Sequence, residues 1–155
     1  FNIISGEAVL EGTIRYFSKD IGKTIESSMR RVMESTAALY GATAEMIYTY
    51  NLPPVVNDEA SSALAYEAAS RILGEENIVL QEKTTGGEDF AFYLDHKPGC
   101  FVFIGSGNHE KGTDFAHHND HFDLDEDVLL HGSALFAEYA VSFLKKEAQK
   151  EENPL

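Results

Sequence analysis

Residues 8–17 (AVLEGTIRYF) alternate, with Val9, Glu11, Thr13 and Arg15 on one face and Ala8, Leu10, Gly12, Ile14 and Tyr16 on the other. That period of two predicts a half-buried strand. Ser18 then offers a helix cap. Ile21, Ile25, Met29, Val32, Met33 and Tyr40 follow at helical spacing, with Arg30, Arg31 and Glu34 on the wet side and Gly41 as the stop. Residues 43–51 are rich in β-branched and aromatic types and predict another strand. The opening stretch thus reads β-α-β, a piece of sheet with one helix on it.

Pro53 and Pro54 form a stiff extended pair that continues neither element, and they mark the candidate domain boundary. Asn57 or Asp58 caps a second helix, whose Ala60, Leu64, Ala68 and Ile72 make one apolar stripe closed by Gly74. Residues 78–82 predict a short strand, 84–87 a tight loop, and Glu88-Asp89 the start of a short helix through Leu94. Pro98-Gly99 turns the chain into an apolar strand at 100–104, and 105–121 is a long polar loop of the kind that often carries function. A last helix begins at 125–127, where carboxylates meet its positive end, and buries Val128, Gly132, Leu135, Phe136, Tyr139 and Phe143. The charged tail after Lys145 is expected to fray.

The length of 155 residues suits one ordinary domain or two small ones, and 43% hydrophobic with 25% charged residues excludes disorder as the main theme. A net charge of -14 repels phosphate backbones and anionic lipid, so neither nucleic acid nor a membrane surface is an expected partner. No apolar run is long enough to cross a bilayer. Cys100 is the single cysteine, which excludes an internal disulfide and makes a reducing compartment, the cytoplasm, the simpler reading. Phe1 stands where a Met would begin a chain, so the sequence reads as if it starts inside something larger; a processed terminus is the other reading.

Four of the six histidines, His109, His117, His118 and His121, lie in or at the end of the polar loop, with Asp114, Asp120 and Asp123 close by. Imidazole and carboxylate are the ligands of zinc and its neighbours. A solvated acidic loop is the alternative, since neither HExxH nor a CxxC pair is present. His96 and His131 are isolated. Gly86-Gly87-Glu88-Asp89 reads as a strand-to-helix turn whose carboxylates cap the helix; a phosphate cradle is disfavoured because no Lys follows the glycines. Arg15 either pairs with a neighbouring Glu or grips a carboxylate in bidentate fashion. No GxSxG elbow is present, so nucleophilic catalysis by serine is unsupported.

Three stretches in order, NIISGEA (2–8) through EGTIR (11–15), TGGEDFA (85–91) and AHHNDHFDLDED (116–127), resemble the C-terminal part of the aminoacylase-like metallo-amidohydrolases. This group includes hippurate hydrolases, N-acyl-amino-acid amidohydrolases and indole-acetyl-amino-acid hydrolases. YGATAE (40–45) and PPVVND (53–58) fit the same pattern. The resemblance implies an α/β metallo-exopeptidase-like catalytic domain preceded by half of a ferredoxin-like lid. Residues 1–52 would be the second half of the lid, and 53–155 the C-terminal segment of the catalytic domain. The remaining metal ligands and the general base would lie in a part of the protein that this sequence does not contain.

Carried over residue by residue, the resemblance implies one metal ligand, His118, followed by Asn119 and by Phe122-Asp123 in the family's register. Asp120 stands where the family usually has Pro. Asn2 and Arg15 match the pair that grips a substrate carboxylate, and Gly87, Glu88 and Asp89 match the turn that shapes the pocket. The implied cofactor is a divalent metal, two per complete site, from among zinc, manganese, cobalt and nickel. The implied substrate is an N-acyl amino acid or peptide, cleaved at its amide bond, with homo-oligomerisation through the lid. These residues alone are expected to be inactive. The alternatives are a related metallo-dipeptidase or carboxypeptidase, or a non-catalytic dimerisation or binding module.

Overall fold

The computed structural model describes residues 2–152; Phe1, at the head of the expected half-lid, and residues 153–155 of the tail lie outside the described residues. Helices form where spacing and caps predict them. α1 is Lys19–Leu39, with the Ile21 N–H donating to Ser18 Oγ at 3.2 Å and Gly41 left-handed at φ +66° just beyond its end. α2 is Glu59–Leu73, capped by Asp58, which accepts the Ser61 N–H at 2.8 Å. It stops at Gly74, whose φ of +84° few side chains tolerate. A single 3-10 turn, Glu75–Asn77, follows; α3 is Ala91–Leu94 and α4 is Asp127–Glu152.

The chain divides into two compact units, Phe1–Val55 with Lys83–Ala91, and Val56–Glu82 with Phe92–Leu155. In the first unit the segments on either side of α1 are seated on it. The Tyr16 ring covers buried Gly22 so closely that a Cβ there would lie 2.8 Å from the ring. Arg30 donates to the Met46 carbonyl at 3.3 Å and pairs with Glu26 at 3.0 Å. The Tyr50 hydroxyl donates to the other Glu26 oxygen at 2.6 Å. That bond pushes the Tyr50 hydroxyl up to about 12 and holds Glu26 below its usual range.

In the second unit α2 packs against α4. Leu64, Ala65 and Ala68 of α2 and Leu135 of α4 are buried, and small residues at the contact allow close approach of the two axes. Along one edge Arg71 donates to Glu138 at 2.6 Å and to the buried Ser142 hydroxyl at 2.8 Å, while Lys146 pairs with Glu67 at 3.1 Å. Such exposed pairs contribute roughly 0–1 kcal/mol each, so apolar burial carries the stability and the ion pairs fix the register.

Three expectations are corrected. The four predicted strands (8–17, 43–51, 78–82 and 100–104) are not formed among the described residues. Alternation supplies an apolar face, but a strand also needs a neighbour about 4.8 Å away to take its N–H and C=O groups. Leu10, Ile47 and Leu80 are accordingly 91%, 89% and 95% exposed. Side chains stand in at some positions: Arg30 donates to the Met46 carbonyl at 3.3 Å, and the Asn57 side chain donates to the Phe101 carbonyl and accepts its N–H, both at 2.9 Å. On α4, Phe136 is 79% exposed and Phe143 is exposed, because Leu135 and Ser142 are the residues turned toward α2. The tail after Lys145 continues α4 to Glu152, held in part by the Lys146–Glu67 pair. No helix among the described residues is long and apolar enough to cross a membrane.

Leu64, 4% exposed in the α2–α4 seam, tests where the stability resides. Leu64→Ala is expected to destabilise the second unit by about 2–5 kcal/mol, measured as a lowered midpoint of urea unfolding followed by helical circular dichroism.

Candidate functional site

The candidate residues fall into two groups, one in each unit. In the first unit Arg15 lies on the glycine turn. A Cβ on Gly87 would meet Arg15 Nη1 at 2.8 Å and Leu52 Cδ1 at 3.2 Å, so the absence of a side chain at 87 is what admits the guanidinium. Arg15 is exposed and forms no ion pair among the described residues, which decides against the neighbouring-Glu reading. Lys83 sits 5.8 Å from the centre of the Phe17 ring, so 83–87 and 15–17 lie side by side. Asn2 is exposed and makes no hydrogen bond among the described residues.

Glu88 is half-buried and Asp89 exposed, and neither side chain caps a helix; the Glu88 carbonyl accepts the Ala91 N–H at 3.3 Å. The capping expectation fails because α3 begins three residues after Glu88 and two after Asp89, and is only one turn long. A groove lined by Lys23, Glu26, Arg30, Arg31 and Glu34 follows one face of α1, and no candidate site residue lines it.

In the second unit the histidine loop is built from turns. The Asn119 N–H donates to the Ala116 carbonyl at 3.2 Å, and the Phe122 N–H to the Asn119 carbonyl at 3.0 Å. Asn119 Oδ1 accepts the His121 N–H at 2.8 Å. His118 occupies the third position of the first turn at φ +66°, and it is the only non-glycine residue with positive φ among those described. Left-handed backbone of this kind is uncommon outside glycine, asparagine, aspartate and histidine, and it aims a side chain where ordinary geometry would not. The His118 ring is exposed and makes no hydrogen bond among the described residues. His117 packs edge-on against Phe122, His121 tilts against Phe115, and His109 bonds Asp114 at 2.8 Å, holding that carboxyl below its usual range. His96 and His131 are exposed.

As a donor set the loop fits one metal ligand. The His118 imidazole is accessible and unengaged, as a neutral ligand must be. Among the described residues no group of three or more His, Cys, Asp or Glu side chains has the geometry to hold a metal.

Sequence reasoning missed the network at the loop's base. Asp125 accepts the Asn108 side-chain amide at 2.7 Å and Lys111 Nζ at 2.6 Å, and Lys111 also reaches Asp127 at 2.6 Å. Together with the Asp127 N–H these donors pull the Asp125 carboxyl down to about 2. Part of the signal was legible: Asn108 Oδ1 accepts the Glu110 and Lys111 N–H groups, the local turn that asparagine favours. The bond to a carboxylate seventeen positions away was not.

Residues 2–142 match the profile of peptidase family M20/M25/M40. The chain belongs to that family. The N-acetylcysteine deacetylase of Bacillus subtilis (strain 168) is 43% identical over 94% of this M20 chain and 36% of its own length. Thermostable carboxypeptidase 2 of Saccharolobus solfataricus is 33% identical over 94% and 36%. Among solved structures, a dinuclear metal-binding M20 peptidase of B. subtilis superposes with a TM-score of 0.72 at 42% identity, covering 83% of this chain and 34% of that one. The fold over the matched part is therefore that of an M20 peptidase. The chain spans about a third of the length of the curated relatives it matches.

Two outcomes test this geometry. Gly87→Ala is expected to displace the Arg15 guanidinium, seen as a shift of its side-chain N–H resonances, at a stability cost below about 1 kcal/mol because the clashing atom ends a flexible side chain. Asp125 contributes stability that is present above the ordinary aspartate value of about 3.9 and is lost as pH falls toward about 2. Its carboxyl carbon resonance should titrate with a midpoint near the lower value.

Proposed function

We propose that this chain is the C-terminal part of a metal-dependent amidohydrolase that cleaves the amide bond of N-acyl amino acids. His118 would supply one metal ligand, and Arg15 with Asn2 would bind the substrate carboxylate. The observation that carries the reading is His118 itself. The residue that the family register selects is also, among the described residues, the single non-glycine one held left-handed, and its ring makes no hydrogen bond among them.

The fold is read as an α/β catalytic segment from residue 53 onward, preceded by half of an α+β lid over 1–52. Division of the chain after Val55 and the seating of 16 and 46–50 on α1 support that arrangement. The expected strands would form on neighbours that other parts of the protein supply, which fits a chain spanning a third of its relatives. Oligomerisation through the lid and a cytoplasmic location belong to the same reading.

When bound, a divalent metal, two per complete site, supplies Lewis-acid polarisation of the scissile carbonyl and activation of water; zinc, manganese, cobalt and nickel all suit such donors. The residues of this chain hold and orient. His118 donates a neutral imidazole nitrogen from a backbone that fixes its direction. Arg15, with Nη1 close over Gly87 and no ion pair among the described residues, would present its N–H fork to the substrate's terminal carboxylate, as bidentate recognition requires. Gly87, Glu88 and Asp89 shape the wall beside it. Proton transfer to the leaving amine would fall to a general base outside this chain. The M20 relative named as a carboxypeptidase keeps peptides as a second substrate class.

A chimera decides the matter: this chain replaces the matching segment of the B. subtilis deacetylase. With manganese or zinc it is expected to hydrolyse N-acetyl amino acids faster than dipeptides. His118→Ala should cost more than the 10–100-fold typical of a residue that only supports a ligand. The 155-residue chain alone should show no turnover. A chimera that folds, binds metal and is indifferent to His118→Ala would refute the assignment.

A further inference from the structure

By hydrogen bonds, the turn that carries His118 is tied to the rest of its unit only through its ends among the described residues. Among the described residues, every hydrogen bond made by residues 115–124 stays within that stretch: Asn119 to Ala116, Phe122 to Asn119, His121 to Asn119, and Leu124 to Asp123. The ring contacts of the stretch, Phe115 with His121 and His117 with Phe122, are internal too. The hydrogen bonds that tie the His118 turn to the rest of its unit therefore act where the loop begins and ends.

At that neck the structure is over-determined. The Asp125 N–H donates to the Ser106 carbonyl at 2.9 Å, and the Asn108 amide donates to Asp125 Oδ2 at 2.7 Å, so the two ends of the loop are joined by backbone and side chain at once. The Asn108 backbone exchanges bonds with Thr113, which is buried, through the Thr113 N–H at 3.0 Å and Thr113 Oγ1 at 3.1 Å. Lys111 bridges Asp125 and Asp127, 2.6 Å from each, and so offsets the repulsion between two carboxylates beside the start of α4. In a chain with a net charge of -14, an ammonium shared by two acids is a local remedy for local repulsion.

We propose that Asn108, Lys111 and Asp125 form a clamp at the neck of the histidine loop that holds the His118 turn in place, which makes all three positioning residues for the His118 ring. The purpose of the clamp rests on the reading of His118 as a metal ligand; its mechanical action does not. Closing the neck removes part of the loop's conformational freedom before any ligand binds, and a ligand held ready binds metal more tightly than one that must first be ordered.

Nuclear magnetic resonance on the full 155-residue chain tests both parts. Backbone relaxation at 116–119 is compared for the wild type, Asn108→Ala, Lys111→Ala and Lys111→Arg. Cobalt(II) alone is then titrated while the His118 ring resonances are followed. The two alanine variants are expected to lower the order parameters at 116–119 from about 0.85 to below about 0.6. They should also weaken cobalt binding at the His118 ring about tenfold. Lys111→Arg should restore both, and the α2–α4 pair should keep its helical circular dichroism in all three variants. Unchanged order at 116–119 in both alanine variants overturns the clamp, as does loosening spread evenly over the whole unit. Absence of any cobalt effect on the His118 ring in the wild type refutes the ligand reading instead, and relaxation alone then judges the clamp.

Discussion

Burial of α2 against α4 is the contact on which the second unit depends. Leu64, Ala65, Ala68 and Leu135 form its apolar seam, and the Arg71–Glu138–Ser142 bonds set the register along one edge. Each helix also presents its N-terminus to a non-helical segment. Beside α2, Asn57 bonds Phe101 and the Asp58 N–H donates to the Gly99 carbonyl at 2.9 Å. Beside α4, Asp125 and Asp127 receive Lys111. The stretch from 101 to 125 is thus hung between two helix starts whose relation the seam decides. Loss of the seam would release the histidine loop without touching any histidine.

Capping chemistry made the helices legible. Ser18, Asp58, Gly41 and Gly74 are strong local signals, and each stands at the boundary it predicts, because a cap needs only residues a few positions away. The strands were not legible to the same standard, since alternation at 8–17 or 78–82 says which face is apolar and nothing about a partner. Family membership was readable from short motifs in order, and the profile over 2–142 establishes it. Around the candidate site, Arg15 and Gly87 were picked out separately, seventy-two positions apart, and the structure sets one upon the other. The neck of the histidine loop stayed hidden because Asn108 reads locally as an ordinary turn residue, and its bond to Asp125 is a tertiary fact.

Charge also needs its local reading. The chain carries fourteen more acids than bases, yet Arg15 forms no ion pair among the described residues and lies close to Gly87. That guanidinium is a point of positive charge in an acidic molecule, and salt screens it from acids beyond about 8–10 Å.

The backbone at residue 118 has a consequence for how that position can vary. Its left-handed torsion and its imidazole are separate requirements that one residue type meets together. Glycine would suit the torsion and lose the ring; valine or isoleucine would strain the torsion and supply no nitrogen. Comparing glycine with alanine at 118 therefore separates two contributions that most histidine replacements confound: relief of the peptide geometry, and deletion of the nitrogen donor.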